Sequence, residues 1–193
     1  MALNIVLFYG SVRRDRQGIR AARFAEVNLE ARGHAVSFVD ALEVQLPLLD
    51  RMYKEYPKGE APDVLERLAT LYRAADAFVI VTGEYNHGLP PALINLLDHF
   101  LEEYYFRPSA IVSYSGGQFG GVRAAVHLQA LLCELGMPSI STTFPVPRVH
   151  SAFDVDGREL TPGAGRRFER FAAELEWYAE ALKRQREEKG TPY

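Results

Sequence analysis

The chain has 193 residues, 48% apolar and 24% charged, with 22 basic residues against 25 acidic ones and a net charge of −3. That size and composition suit one globular domain with a sizeable core, and the near balance of charge excludes a general nucleic-acid binder. A single cysteine, Cys133, excludes an internal disulfide and a thiolate zinc cluster.

The apolar run from Leu3 to Tyr9 predicts a first strand. It is too short for the core of a secretory leader and runs straight into Gly10-Ser11. No stretch approaches the ~18 to 20 apolar residues of a membrane span, so a cytoplasmic protein is expected. The turn from Gly10 to Gly18 leads into a helix over 19–32, which Gly33 stops, and leaves His34 on the surface. Residues 35–39 form a second strand, with Asp40 at its end. A long connection follows over 41–61, and connections of that length inside a domain are usually functional or pack on a partner.

Pro62-Asp63 starts a helix with Leu65, Leu68, Tyr72 and Ala75 on one face. The third strand, Phe78-Val79-Ile80-Val81, is apolar throughout, the pattern of a strand buried on both sides. A polar loop, Thr82 to Gly88, follows it, and the double proline Pro90-Pro91 opens the next helix. Residues 109–114 predict a fourth strand and Ser115 to Gly121 a second glycine-rich turn. A helix over 122–135 carries Ala125, Leu128, Leu132 and Leu135 on one side, with Cys133 expected as a buried, inert thiol. Residues 139–144 predict a weak fifth strand, and Asp156-Gly157 signals a turn. The last helix, over 165–186, aligns Phe168, Phe171, Leu175, Tyr178 and Leu182 as a core stripe, and residues 187–193 are expected to fray.

Five strands alternating with helices predict a single α/β domain over 1–186, a doubly wound parallel sheet of order 2-1-3-4-5 with helices on both faces. The loops after strands one, three and four then meet at the carboxyl edge of the sheet, where ligands bind in such folds. The first loop suits an anion. Ser11 offers a hydroxyl, Arg13, Arg14 and Arg16 offer guanidinium forks, and the helix behind offers backbone N–H groups. No Gly-Lys-Ser/Thr ends the loop, and no G-x-G-x-x-G occurs. In the other two loops glycines let the backbone approach a flat ring, and Tyr85 and Phe119 offer stacking surface. No serine sits in a G-x-S-x-G context, and no histidine pair has the H-x-x-x-H spacing of a helical zinc site, so no metal is expected.

Three segments carry a resemblance: G-S-V-R at Gly10 to Arg13, E-Y-N-H-G-L-P-P-A-L-I-N-L-L-D at Glu84 to Asp98, and S-Y-S-G-G-Q-F-G-G at Ser113 to Gly121. Together they resemble the NADPH-dependent FMN reductase family, which includes azoreductase-like, quinone reductase and chromate reductase proteins on a flavodoxin-like fold. The resemblance spans about residues 3 to 150. It implies that Ser11, Arg13 and the turn through Arg16, Gln17 and Gly18 to Ile19 hold the FMN phosphate. It implies that Glu84, Tyr85, Asn86 and His87 meet the flavin ring and that Ser115, Gly116 and Gly117 flank its pyrimidine end. Arg16 and Gly18 depart from the serine and asparagine of many members, and Ile94 stands where they often have lysine. The departures in the first loop point to a phosphate grip richer in arginine.

The activity so implied is hydride transfer from NADPH or NADH to FMN, then electron transfer by a ping-pong route to a quinone, azo compound, flavin or metal ion. The cofactor performs the chemistry while the protein positions it, which accounts for the lack of a catalytic triad. No residue is singled out as catalytic beyond His87, a candidate proton donor to a bound quinone. A homodimer or dimer of dimers is implied, with the active site near the subunit boundary. Two other classes fit the same fold. An electron carrier of the flavodoxin kind is one, although such carriers are strongly acidic. A flavin-dependent sensor or regulatory scaffold is the other, with the 41–61 connection and Tyr104-Tyr105-Phe106 as partner surface.

Overall fold

A computed structural model describes all residues, 1–193. Five parallel strands, β1 (Asn4–Tyr9), β2 (Ala35–Asp40), β3 (Ala77–Gly83), β4 (Ser109–Tyr114) and β5 (Phe144–Val146), lie in the order β2-β1-β3-β4-β5. The predicted order is thus the observed one.

Alternation along the strands divides the core in two. Ile5, Leu7, Tyr9, Val79, Val81, Val112 and Tyr114 face α1 (Ile19–Ala31) and α7 (Ala164–Lys189). Val6, Phe8, Phe78, Ile80 and Ile111 face α3 (Asp63–Arg73), α4 (Pro91–Asp98) and α5 (Val122–Glu134). Every residue of β3 is buried, as expected for the middle strand of a sheet covered on both sides. On α7 the ring of Phe168 meets Phe144 edge-on at 5.2 Å, and each such buried side chain contributes roughly 1.5–3 kcal/mol.

The 41–61 connection is ordered by α4. It begins as α2 (Ala41–Val44), whose first turn is capped by Asp40 accepting from the Leu42 N–H at 2.9 Å. Asn95 of α4 donates to the Pro47 carbonyl at 2.8 Å and accepts from the Leu49 N–H at 2.9 Å. His99 Nε2 lies 3.1 Å from the same Pro47 carbonyl. The Tyr53 N–H donates to the His99 carbonyl at 2.8 Å, so the connection is a strap tied along α4.

Several expectations need correction. The fifth strand is Phe144–Val146, not 139–144. Ile140 N–H does reach the Ser109 carbonyl at 2.9 Å. The chain then leaves the sheet because Ser141 and Thr142 turn their N–H and hydroxyl groups onto the Glu174 carboxylate. His34 is not a surface residue: it is buried, accepts from the Leu3 N–H at Nδ1 and lies 2.8 Å from Glu176 through Nε2. Cys133 is exposed, because it falls one residue off the stripe formed by Ala125, Leu128, Leu132 and Leu135. Tyr178 is exposed as well, and Ala172 and Ala179 complete the α7 stripe in its place. That helix runs to Lys189, past the expected end at 186, and the Tyr193 ring meets Phe106 at 5.0 Å and Tyr105 at 5.5 Å. Asp156-Gly157 does form a turn, closed by an antiparallel bridge between Phe153 and Glu159.

Candidate functional site

β1 delivers its chain to the carboxyl edge and turns at Gly10. A Cβ there would lie 2.3 Å from that of Leu93, so only glycine lets the loop press against α4. Ser11 follows, buried, its hydroxyl 2.8 Å from that of Tyr85 on the second loop. The Arg13 guanidinium stands 5.9 Å from the Tyr85 ring centre. Arg16 binds both Asp40 oxygens through Nη1 at 2.5 and 2.6 Å. One carboxylate therefore orients Arg16 and caps α2. The backbone N–H groups of Ser11, Val12 and Arg13 have no protein acceptor, which is the usual condition of an anion-binding loop.

Two tyrosines lie under this loop. Tyr9 is fully buried, and its hydroxyl donates to the Arg16 carbonyl at 3.2 Å. Burial pushes its pKa far above the ordinary phenol value. Tyr114, at the end of β4, is raised too, by burial first, with the Tyr9 and Ser11 hydroxyls beside it opposing the shift. Both phenols stay protonated at neutral pH.

The second loop is a tight hairpin. Tyr85 and Gly88 exchange backbone hydrogen bonds at 3.0 and 2.9 Å, with Asn86 and His87 both at positive φ between them, the geometry of a two-residue type I′ turn. The Asn86 and His87 side chains stand exposed at its tip. Glu84 instead points across to α5. It accepts from the Arg123 backbone N–H at 3.2 Å and from its guanidinium at 2.9 Å. Arg123 in turn covers the Phe119 ring at 4.8 Å. In the third loop, Ser115 Oγ donates to the Gly117 carbonyl and accepts from the Gly120 N–H, so it shapes its own turn. The N–H groups of Gly116 and Gly117 have no protein acceptor.

The three loops enclose a cavity of about 140 Å3. Ser11, Arg13, Arg16, Gln17, Tyr85 and Gly116, all singled out in the sequence, line it. Gly18 lies under the Tyr114 ring, and Ile19 packs into the core. Glu84, Asn86, His87, Ser115, Gly117 and Phe119 stand around the rim, outside the cavity lining. Sequence reasoning missed Asp15, Tyr114, Val149 and His150 as lining residues, Asp15 being the one carboxylate among them. Tyr114 ends a strand whose loop was already suspect. His150 sits on α6 (Val149–Ala152), just past the carboxyl end of β5, where the sheet order would have directed attention. Beside the first loop opens a larger groove of about 390 Å3. Val12, Leu42, Leu46, Leu48, Pro91 and Leu96 make it apolar, and no charged side chain lines it. No three His, Cys, Asp or Glu side chains gather as a metal site, and no helix is long and apolar enough to cross a membrane.

Residues 3–151 match the family described as NADPH-dependent FMN reductase. The chain belongs to that family. It is 31% identical over 169 residues to a probable NADPH:quinone oxidoreductase 2 of Oryza sativa subsp. japonica, covering 83% of this chain and 81% of that one. It is 34% identical over 104 residues to the NAD(P)H-dependent FMN reductase PA1204 of Pseudomonas aeruginosa, covering 51% of this chain and 56% of that protein, little more than half its length. In fold it is similar to the flavoenzyme NAD(P)H:(acceptor) oxidoreductase FerB of Paracoccus denitrificans, with a TM-score of 0.69 at 19% identity over 95% of this chain and 98% of that one. The family makes the chain an oxidoreductase that uses FMN and NAD(P)H. The cavity fits the phosphate end of such a cofactor in size and charge: Arg13 and Arg16 outnumber the single carboxylate, Asp15, in its lining, and at about 140 Å3 it is smaller than the roughly 300–1,000 Å3 of pockets that take whole drug-sized ligands.

Proposed function

We propose that the protein is an FMN-dependent NAD(P)H oxidoreductase that reduces a small planar acceptor of the quinone class by a ping-pong route. The observation that carries this reading is the convergence of Ser11, Arg13, Arg16, Gln17 and Tyr85 on one cavity at the carboxyl edge, with unpaired N–H groups on both flanking loops. FMN supplies the hydride and electron chemistry when bound. The chain's own part is to hold and orient. Arg13, Ser11 and the first-loop N–H groups receive the phosphate. Asp40 keeps Arg16 at the cavity wall. The unpaired N–H groups of Gly116 and Gly117 would hold the ring's polar edge, where donors stabilise negative charge. Glu84, held by Arg123, braces the second loop against α5, so that Tyr85 to Gly88 forms a fixed rim. His87, exposed at the hairpin tip, would be the group that delivers a proton to the reduced acceptor.

Quinone is the favoured acceptor class because curated relatives in rice, Pseudomonas putida and Escherichia coli carry that name. The enzyme works as a homodimer, the apolar groove beside the first loop supplying surface that a second copy would cover. A chain with one free thiol suits a reducing cytoplasm.

The test is direct. The purified protein should show flavin absorbance, release FMN on denaturation, and oxidise NADPH or NADH with a quinone in parallel-line ping-pong kinetics. Bound flavin without NAD(P)H turnover would make it an electron carrier instead, and a protein with no affinity for FMN would end the proposal.

A further inference from the structure

We propose that the Tyr114 hydroxyl is a direct donor to the ligand's phosphate, and that position 18 is glycine to let the phenol stand there. The inference rests on the FMN reading above and adds to it a strand residue and a reason for its neighbour.

The phenol is seated by two backbones. A Cβ on Gly18 would lie 1.9 Å from Tyr114 Cζ and 2.3 and 2.4 Å from Cε1 and Cε2. A Cβ on Gly83 would lie 2.9 Å from both Cζ and the hydroxyl oxygen. Any side chain at position 18 would therefore displace the ring at its hydroxyl end, where a phenol meets a ligand. Tyr114 is only 8% exposed, and it lines the same cavity as Ser11, Arg13 and Arg16. A phenylalanine would fill the core from this position equally well, so the hydroxyl needs its own explanation. Within the chain its hydroxyl meets only the Tyr9 and Ser11 hydroxyls, and while the Tyr9 proton goes to the Arg16 carbonyl, no carbonyl or carboxylate of the chain accepts that of Tyr114. A buried phenol that stays neutral beside a phosphomonoester donates a charge-assisted hydrogen bond. Unlike an arginine, it does so without attracting every anion.

The experiment compares FMN with riboflavin, which lacks the phosphate, by quenching of flavin fluorescence on titration with the flavin-free full-length protein. Tyr114→Phe keeps the ring and should leave the melting temperature near that of the wild type. It should weaken FMN binding by about tenfold to a hundredfold and leave riboflavin affinity unchanged. Gly18→Ala, which pushes the phenol aside, should lose a similar factor for FMN. Adding Tyr114→Phe to Gly18→Ala should then change FMN affinity by less than about threefold, because the bond is already gone. Unchanged FMN affinity in Tyr114→Phe, or equal losses for both flavins, would overturn the assignment. Additive losses in the double variant would overturn the role given to Gly18. A wild-type chain that binds neither flavin would sink the FMN reading itself, and this inference with it.

Discussion

The two edges of the sheet use the same residue types to opposite ends. At the amino edge Asp76 is buried and saturated: it accepts from the Asn4 N–H at 2.9 Å and from Lys183 at 3.0 Å, with Arg186 at 3.6 Å. Beside it Arg107 donates to the carbonyls of Ala75, Tyr105 and Arg73, and burial, with Arg186 alongside, pushes its pKa down to about 10. Every strong donor there has an internal acceptor. At the carboxyl edge Arg13 is exposed, and a row of N–H groups has no acceptor. Arginine near a strand end thus indicates nothing by itself. What separates a brace from a receptor is whether the donors are already matched by acceptors in the chain.

The comparison predicts that the edges fail differently. Asp76→Ala should show the largest effect, because it strands Lys183, Arg186 and the Asn4 N–H together. Removing one partner of a buried ionic cluster destabilises by about 3–5 kcal/mol, and since Lys183 remains partly solvated the expectation is roughly 2–4 kcal/mol. Chemical denaturation should show this loss, while folded protein keeps its FMN affinity. Arg13→Ala should do the reverse. It should weaken FMN binding by about tenfold to a hundredfold, the worth of a charge-assisted bond, and move stability by under about 0.5 kcal/mol, as surface substitutions do. If Arg13→Ala unfolds the protein, or leaves FMN binding untouched, the division between the edges is wrong.

The division also explains what could be read from the sequence. Strand order and the three meeting loops were legible because apolar runs such as Phe78 to Val81, and glycine or proline punctuation after them, are local signals. Side-chain partners were not. Glu84 reads as a ring-contacting residue from its motif, yet its carboxylate is held by Arg123, thirty-nine positions away. His34 follows a helix stop and looks like surface, until α7 brings Glu176 to it from 142 positions away. Cys133 and Tyr178 fail for a smaller reason: one residue along a helix turns a side chain by about 100°, enough to move it from the buried stripe to solvent. Tyr114 and Gly18 explain each other only once β4 and α1 are set side by side.

The smallest predicted effect belongs to the pair that seals α1 against α7. Arg32 donates to Glu176 through Nε at 2.5 Å and Nη2 at 2.7 Å. That fork holds the carboxyl below the ordinary glutamate value, with burial opposing it in part and His34 adding to the lowering. The sign follows from the direction. A carboxyl whose pKa is lower in the folded state stabilises the fold fully above its unfolded value, near about 4.3, and loses that contribution as pH falls through the lower folded value. Both partners are partly exposed, at 32% and 21%, so solvent screening limits the pair to about 0.5–1 kcal/mol. Glu176→Gln should therefore lower the melting temperature by about 1–4 °C at neutral pH. That gap should close as the pH falls below about 4, where the wild-type carboxyl takes up its proton as well. A gap that persists undiminished in acid would mean that Glu176 acts through shape and packing rather than charge, and the contact between α1 and α7 would then need no ion pair to hold it.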